Sequence, residues 1–124
     1  MSLLLCKETK ERSIPEGAAV WTSACALEGT FPGGVIHCVP PMFGSAQPTA
    51  RNEGLIFDCV MRSLEIANEN SSTSIAFPIL GCGIFNNPLH VSCRSMFKAI
   101  RVIYYILLIN DIMAHMLFSV RIYI

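Results

Sequence analysis

Residues 81–88 read Gly-Cys-Gly-Ile-Phe-Asn-Asn-Pro, and three chemistries can be built on them. The first is anion binding. Two glycines around one small residue let the chain take positive φ and bring its N–H groups close to a ligand. A short apolar run precedes them (Ile75, Ala76, Phe77, Ile79, Leu80) and Pro88 follows, so the order is strand, glycine loop, helix start. Loop amides and a helix N-terminus both favour negative charge. An ordinary strand-to-helix corner would use the same glycines, and spacing alone leaves both readings open. The second chemistry is nucleophilic, with Cys82 on a sharp turn after a strand. It needs a base, and neither His37 nor His90 has an Asp or Glu placed to orient it. The third is a metal site from Cys82, His90 and Cys93, whose irregular spacing argues against it.

The elements that must position this loop follow from local pattern. Gly17 to Thr22 has strand character at Val20 and Trp21, with Trp21 read as a packing residue. Glu28 to Gly34 holds three glycines and a proline, which is a loop or hairpin turn. Val35-Ile36-His37-Cys38-Val39 is a short strand stopped by Pro40-Pro41. His37 inside it reads as a core histidine whose ring nitrogen finds a backbone partner. Asn52 to Asn70 is the clearest helix, with Leu55, Ile56, Cys59, Val60, Leu64 and Ala67 repeating at three and four. Cys59 on that face is a small buried apolar residue, not a nucleophile. Leu89 to Ile100 reads as a second helix begun by Pro88.

Composition sets the limits. A chain of 124 residues is one domain at most, and its 52% apolar and 15% charged residues do not force a membrane class. Net charge is zero, which leaves no basic footprint for nucleic acid. Any anion must therefore be held by backbone amides instead of a Lys/Arg cluster. Six cysteines at 6, 25, 38, 59, 82 and 93 form no CxxC pair, and Leu3 to Cys6 is too short for a secretory leader. Reduced thiols in the cytoplasm or nucleus fit this usage.

Ser74-Ile-Ala-Phe-Pro78 followed by Gly81-Cys82-Gly83-Ile84-Phe85 and Pro88 resembles the diphosphate-binding loop of the macrodomain family, whose members bind ADP-ribose. Gly17-Ala-Ala-Val-Trp-Thr22 is similar to the family's Gly-x-Ala-x-x-Thr segment, and Val35-Ile-His-Cys-Val-Pro40 to its Val-Ile-His-x-Val-x-Pro strand. The resemblance implies an α/β fold, a three-layer α/β/α sandwich, over residues 16–100. Residues 1–15 precede it as a charged start and 101–124 follow as an apolar tail. It also implies a ligand site at Gly81, Cys82, Gly83, Ile84, Phe85 and Asn86. Their amides would meet the two phosphates, and Phe85 would lie against the distal ribose. Three family features have no counterpart here: an Asp that reads adenine, an Asn-Ala-Asn-type segment, and a first glycine-rich loop. The chain thus resembles a macrodomain without its amino-terminal third, with an incomplete sheet whose open edge invites self-association.

The tail Arg101 to Ile124 admits three readings. A membrane span would want about 18 consecutive apolar residues, whereas the longest uncharged stretches are 102–110 and 112–120, split by Asp111. Alternatively Val102–Ile109 is a buried strand and Asp111 caps a closing helix, Ile112–Arg121. In the third reading the tail is not family sequence. The expected function is binding of ADP-ribose or of ADP-ribosylated proteins, weakened by the missing loop, with no cofactor and no efficient hydrolysis. The competing expectation is a membrane-associated or partner-binding fragment whose loop is vestigial.

Overall fold

The computed structural model describes residues 13–44, 49–109 and 119–123. The first ladder pairs β1 (Ala19–Thr22) antiparallel with β2 (Val35–Cys38), Val20 opposite His37 and Thr22 opposite Val35. A single 3-10 turn, Cys25–Leu27, lies in the connection. Gly34 closes it at φ 91°, where a Cβ would stand 2.7 Å from the Thr22 carbonyl oxygen, so only glycine fits. Trp21 packs across this turn and its indole N–H donates to the Gly33 carbonyl at 2.9 Å. His37 does not use a backbone partner. Its Nε2 is 2.9 Å from Thr22 Oγ1, a diagonal neighbour on the same face of the ladder.

Helix α1 runs Thr49–Glu69 and starts before Asn52, which it buries on the apolar face with Ile56, Cys59, Val60, Ser63 and Leu64. It ends where Ser71 turns left-handed at φ 55° and Ser72 N–H reaches back to the Ala67 carbonyl at 2.9 Å. Strand β3 (Ser74–Pro78) then lies parallel to β4 (Ser119–Tyr123), Phe77 opposite Ile122. Between them helix α2 spans Leu89–Ile109 and packs along α1.

The fold is thus α/β with short, incomplete sheets: among the described residues, two separate two-stranded ladders. The tail departs from expectation. Val102–Ile109 is not a strand but the second half of α2. The β-branched and aromatic residues there follow the helix because the inward positions of α2, Ser92, Met96, Ala99, Ile103 and Leu107, continue at three and four past residue 100. Arg121, expected in a closing helix, lies in β4, while Asp111 and 112–118 fall outside the described residues. Among the described residues, no helix is long and apolar enough to cross a membrane.

The core joins both helices to β3 through Ile56, Cys59, Val60, Leu64, Phe77, Leu80, Met96 and Ala99. Met96 has a double role, since its Sδ also accepts the Leu80 N–H at 3.4 Å, one residue before the glycine loop. Met96→Ala is expected to lower the unfolding free energy by about 2–5 kcal/mol. Met96→Leu, which keeps the volume but leaves the Leu80 N–H without its acceptor, should cost less than Met96→Ala, about 1–3 kcal/mol. Urea unfolding monitored by circular dichroism measures both.

Candidate functional site: a loop of outward amides

The glycine loop leaves β3 through Leu80 and enters α2 through Pro88, and three of its carbonyls are taken by donors within the chain. The Gly81 carbonyl accepts from the Asn87 N–H at 2.8 Å and from Asn87 Nδ2 at 2.9 Å. The Gly83 carbonyl accepts from the Asn86 N–H at 3.0 Å, and the Phe85 carbonyl from the Phe43 N–H at 2.7 Å. In a trans peptide the carbonyl and the next N–H point in opposite directions, and the described residues contain no cis bond. Tying the Gly81 and Gly83 oxygens to the loop's inner side therefore turns the Cys82 and Ile84 N–H groups the other way. Among the described residues, no main-chain carbonyl accepts from the N–H of Gly81, Gly83, Ile84 or Phe85, and the turn at Leu80-Gly81 brings the Cys82 N–H near the Ile79 carbonyl without ordinary hydrogen-bond distance and angle. Unpaired amides of this kind require water or a ligand.

The six expected residues sit together but differ in what they expose. Gly81, Cys82 and Phe85 are half-buried, Gly83 and Asn86 are exposed, and Ile84 is 97% exposed. The two glycines do different jobs. Gly81 takes φ 77°, and a Cβ there would stand 2.8 Å from Asn87 Nδ2. Gly83 does not use positive φ, and a Cβ there meets nothing within 4 Å. Its value is open approach, not conformational freedom. The left-handed residue at the far end is Asn86, φ 57°. Its N–H turns inward to Gly83, so its main chain serves the turn.

Two residues outside the expected set hold the loop. Asn87 is 4% exposed, and its Nδ2 donates to the Pro41 carbonyl at 2.7 Å as well as to Gly81. Its Oδ1 accepts from Asn52 Nδ2 at 2.9 Å, and Asn52 also reaches the Met42 carbonyl at 3.4 Å. Asn52 is fully buried and its Oδ1 has no protein partner. A polar residue on the apolar stripe of α1, seven positions before Cys59, was the available signal in the sequence for Asn52. Nothing local distinguished Asn87 from Asn86.

Among the described residues, the side chains weighed for the alternative chemistries are not brought together. His37 is engaged with Thr22, and among the described residues no hydrogen bond joins Cys82 to a histidine. The described residues hold no group of three or more His, Cys, Asp or Glu suited to a metal ion. Two cations on the helices already have acidic partners, Arg51 with Glu16 at 2.6 Å and Arg94 with Glu53. Cys59 is buried in the core, where the neighbouring Cys38 thiol and its burial push its own thiol up, and it stays protonated.

Comparison with known proteins bears on the family and the fold. The Macro domain family model matches residues 3–96, beginning earlier than the resemblance seen in the sequence. A macro domain-containing protein of Streptomyces griseus is 30% identical over 102 residues, covering 79% of this chain and 54% of that protein. The chain spans about half the length of the curated relatives it matches. Among solved structures, a variant of the Oceanobacillus iheyensis macrodomain aligns at a TM-score of 0.70 and 24% identity, covering 98% of this chain and 58% of the other. Another variant of that macrodomain, solved with ADPR, aligns at 0.70 and 22% over 95% and 59%.

The two glycines should respond differently to a methyl group. Gly81→Ala, strained at positive φ and pressed against Asn87, is expected to cost about 1–3 kcal/mol. Gly83→Ala should be neutral or stabilising by up to about 1 kcal/mol. Thermal unfolding of the two variants beside the wild type reads the contrast.

Proposed function

The chain belongs to the Macro domain family, and from that premise we propose that the loop 81–86 binds the diphosphate of ADP-ribose, free or attached to another protein. The observation that carries this reading is the pairing pattern of the loop. Its carbonyls at 81, 83 and 85 are satisfied within the chain, while the N–H groups from 81 to 85 are left for an outside acceptor. A diphosphate offers several charged oxygens to such a row. Each charge-assisted hydrogen bond contributes about 1.5–3 kcal/mol, so several donors acting together suffice without a Lys/Arg cluster. Open space over Gly83 admits the phosphates, and half-buried Phe85 supplies an apolar surface for the distal ribose.

Hydrolysis of an ADP-ribosyl linkage is not part of the proposal. The Asn-Ala-Asn-type segment and the first glycine-rich loop that the family resemblance would supply to orient a substrate and a water have no counterpart in this sequence. A binding role asks less of the chain, because it needs only the ground-state contacts of the cradle. The second reading, a partner-binding chain with a vestigial loop, draws its support from α2. Tyr105, Leu108 and Ile109 at its end are exposed apolar residues of the kind that mark interaction surfaces.

Calorimetric titration of ADP-ribose into wild type and Gly83→Glu separates the two. Space at residue 83 lets the variant fold, while its carboxylate stands where the phosphates would rest. Measurable wild-type binding that weakens at least about tenfold in Gly83→Glu, the result of losing one or two charged contacts, supports the cradle. Absent or millimolar binding to the wild type, or equal affinity in both proteins, favours the vestigial loop.

A further inference from the structure

We infer that Asn87, backed by Asn52, is the positioning group that turns the loop's amides outward. Neither residue belongs to the row of donors itself. The inference rests on the ADP-ribose reading for its ligand, but not for its claim about the loop. The demands fall on one side chain. At position 87 the chain needs a group that donates twice, to the carbonyls of Pro41 and Gly81, and accepts once, from Asn52. A neutral carboxamide supplies two donors and an acceptor in one plane. Asp would face both carbonyls with lone pairs, and a hydrocarbon would leave all three partners unpaired in a site that excludes water. The partners also fix the amide's orientation: two carbonyl oxygens can only face the nitrogen, so the oxygen must face Asn52.

The consequence travels through a single peptide plane. Gly81's carbonyl is held by two hydrogen bonds from the same residue, one from the main chain and one from the side chain. Rotating the 81–82 peptide to hide the Cys82 N–H would break both bonds. It would also leave Asn87, at 4% exposure, with a buried unpaired donor. Gly81 must be glycine for the same reason, since a Cβ would stand 2.8 Å from the amide nitrogen that holds it. Asn52 completes the relay from helix α1. It sits at full burial, holds the Asn87 oxygen, and reaches Met42, next to the Pro41 carbonyl that Asn87 holds. Three parts of the fold, the exit of β2, the first turns of α1 and the entry to α2, thereby meet on one carboxamide.

The test reads the loop and the ligand separately. In ligand-free protein, Asn87→Asp should shift the 15N–1H resonances of Cys82 and Ile84 away from their wild-type positions. It should also weaken ADP-ribose binding by about tenfold or more, the range for unpairing buried polar groups. Asn52→Ala should produce a smaller shift in the same resonances, and the double variant should bind no more weakly than Asn87→Asp alone. The Asp variant should recover affinity as pH falls from about 8 to about 5, because the protonated acid regains one donor; its described partners here are carbonyls and the Asn52 amide, none titratable. Leu64→Ala serves as a control for stability alone. It should lower the unfolding temperature while leaving those two resonances and the affinity within about twofold of wild type. Unchanged Cys82 and Ile84 resonances in Asn87→Asp would overturn the inference, as would affinity lost only in proportion to unfolded protein. If the wild type fails to bind ADP-ribose, the proposed function falls, and the resonances still decide the role of Asn87. If Asn87→Asp does not fold, Asn52→Ala and Asn87→Ser, which keeps one donor, carry the same comparison.

Discussion

A backbone can offer its N–H groups to a ligand only if something keeps its carbonyls occupied elsewhere. That constraint organises the region between β3 and α2. Every carbonyl turned inward needs a donor, and the loop draws its donors from Asn86, Asn87 and Phe43. Two of these are the residues just before Pro88, so the entry to the helix also anchors the loop. The arrangement stores its binding capacity in main-chain groups, which explains how a chain of zero net charge can be read as an anion binder. Its affinity would owe little to long-range attraction.

Rigidity has to come from the layers beneath. Met96 accepts the Leu80 N–H, Phe77 is buried beside it in the same core cluster, and Asn52 brings α1 to the loop. The ladder of β3 and β4 continues one bond further, from the Ile79 N–H to the Tyr123 carbonyl. Within four residues the chain thus passes from a strand paired along one edge with β4 to a row of amides without main-chain acceptors. One tension remains in the packing: Asn52 Oδ1, Ser92 Oγ and Ser95 Oγ are buried without protein partners. An unpaired buried acceptor costs about 1–3 kcal/mol, and at Asn52 this accompanies the bond that holds Asn87 in place.

Parts of this were legible before any coordinates. The helix at 52–70 announced itself by periodicity, because one face of it is buried and the other is not, and the strand at 74–78 by a short apolar run broken by Pro78 and Gly81. Residues 102–109 misled for the opposite reason. When nearly every position is apolar, the contrast that separates a 3.6-residue from a 2-residue repeat disappears, and β-branched composition points to a strand. Packing against α1 overrode that propensity and carried α2 to Ile109. His37 was expected to find a backbone partner; it meets the side chain of Thr22 instead, a partner decided by strand register.

The sequence by itself determined the kind of loop: its glycines, its place after a buried strand, its proline at the helix entry, and a family likeness in three segments. It could do so because those features act over a few residues, through allowed φ values and missing N–H groups. Which amides point outward was settled only by tertiary structure. Asn87 and Asn52 are 35 positions apart, and Asn87 and Pro41 are 46. Local chemistry makes Asn86 and Asn87 equivalent; only the folded chain puts one in solvent and buries the other among three polar partners.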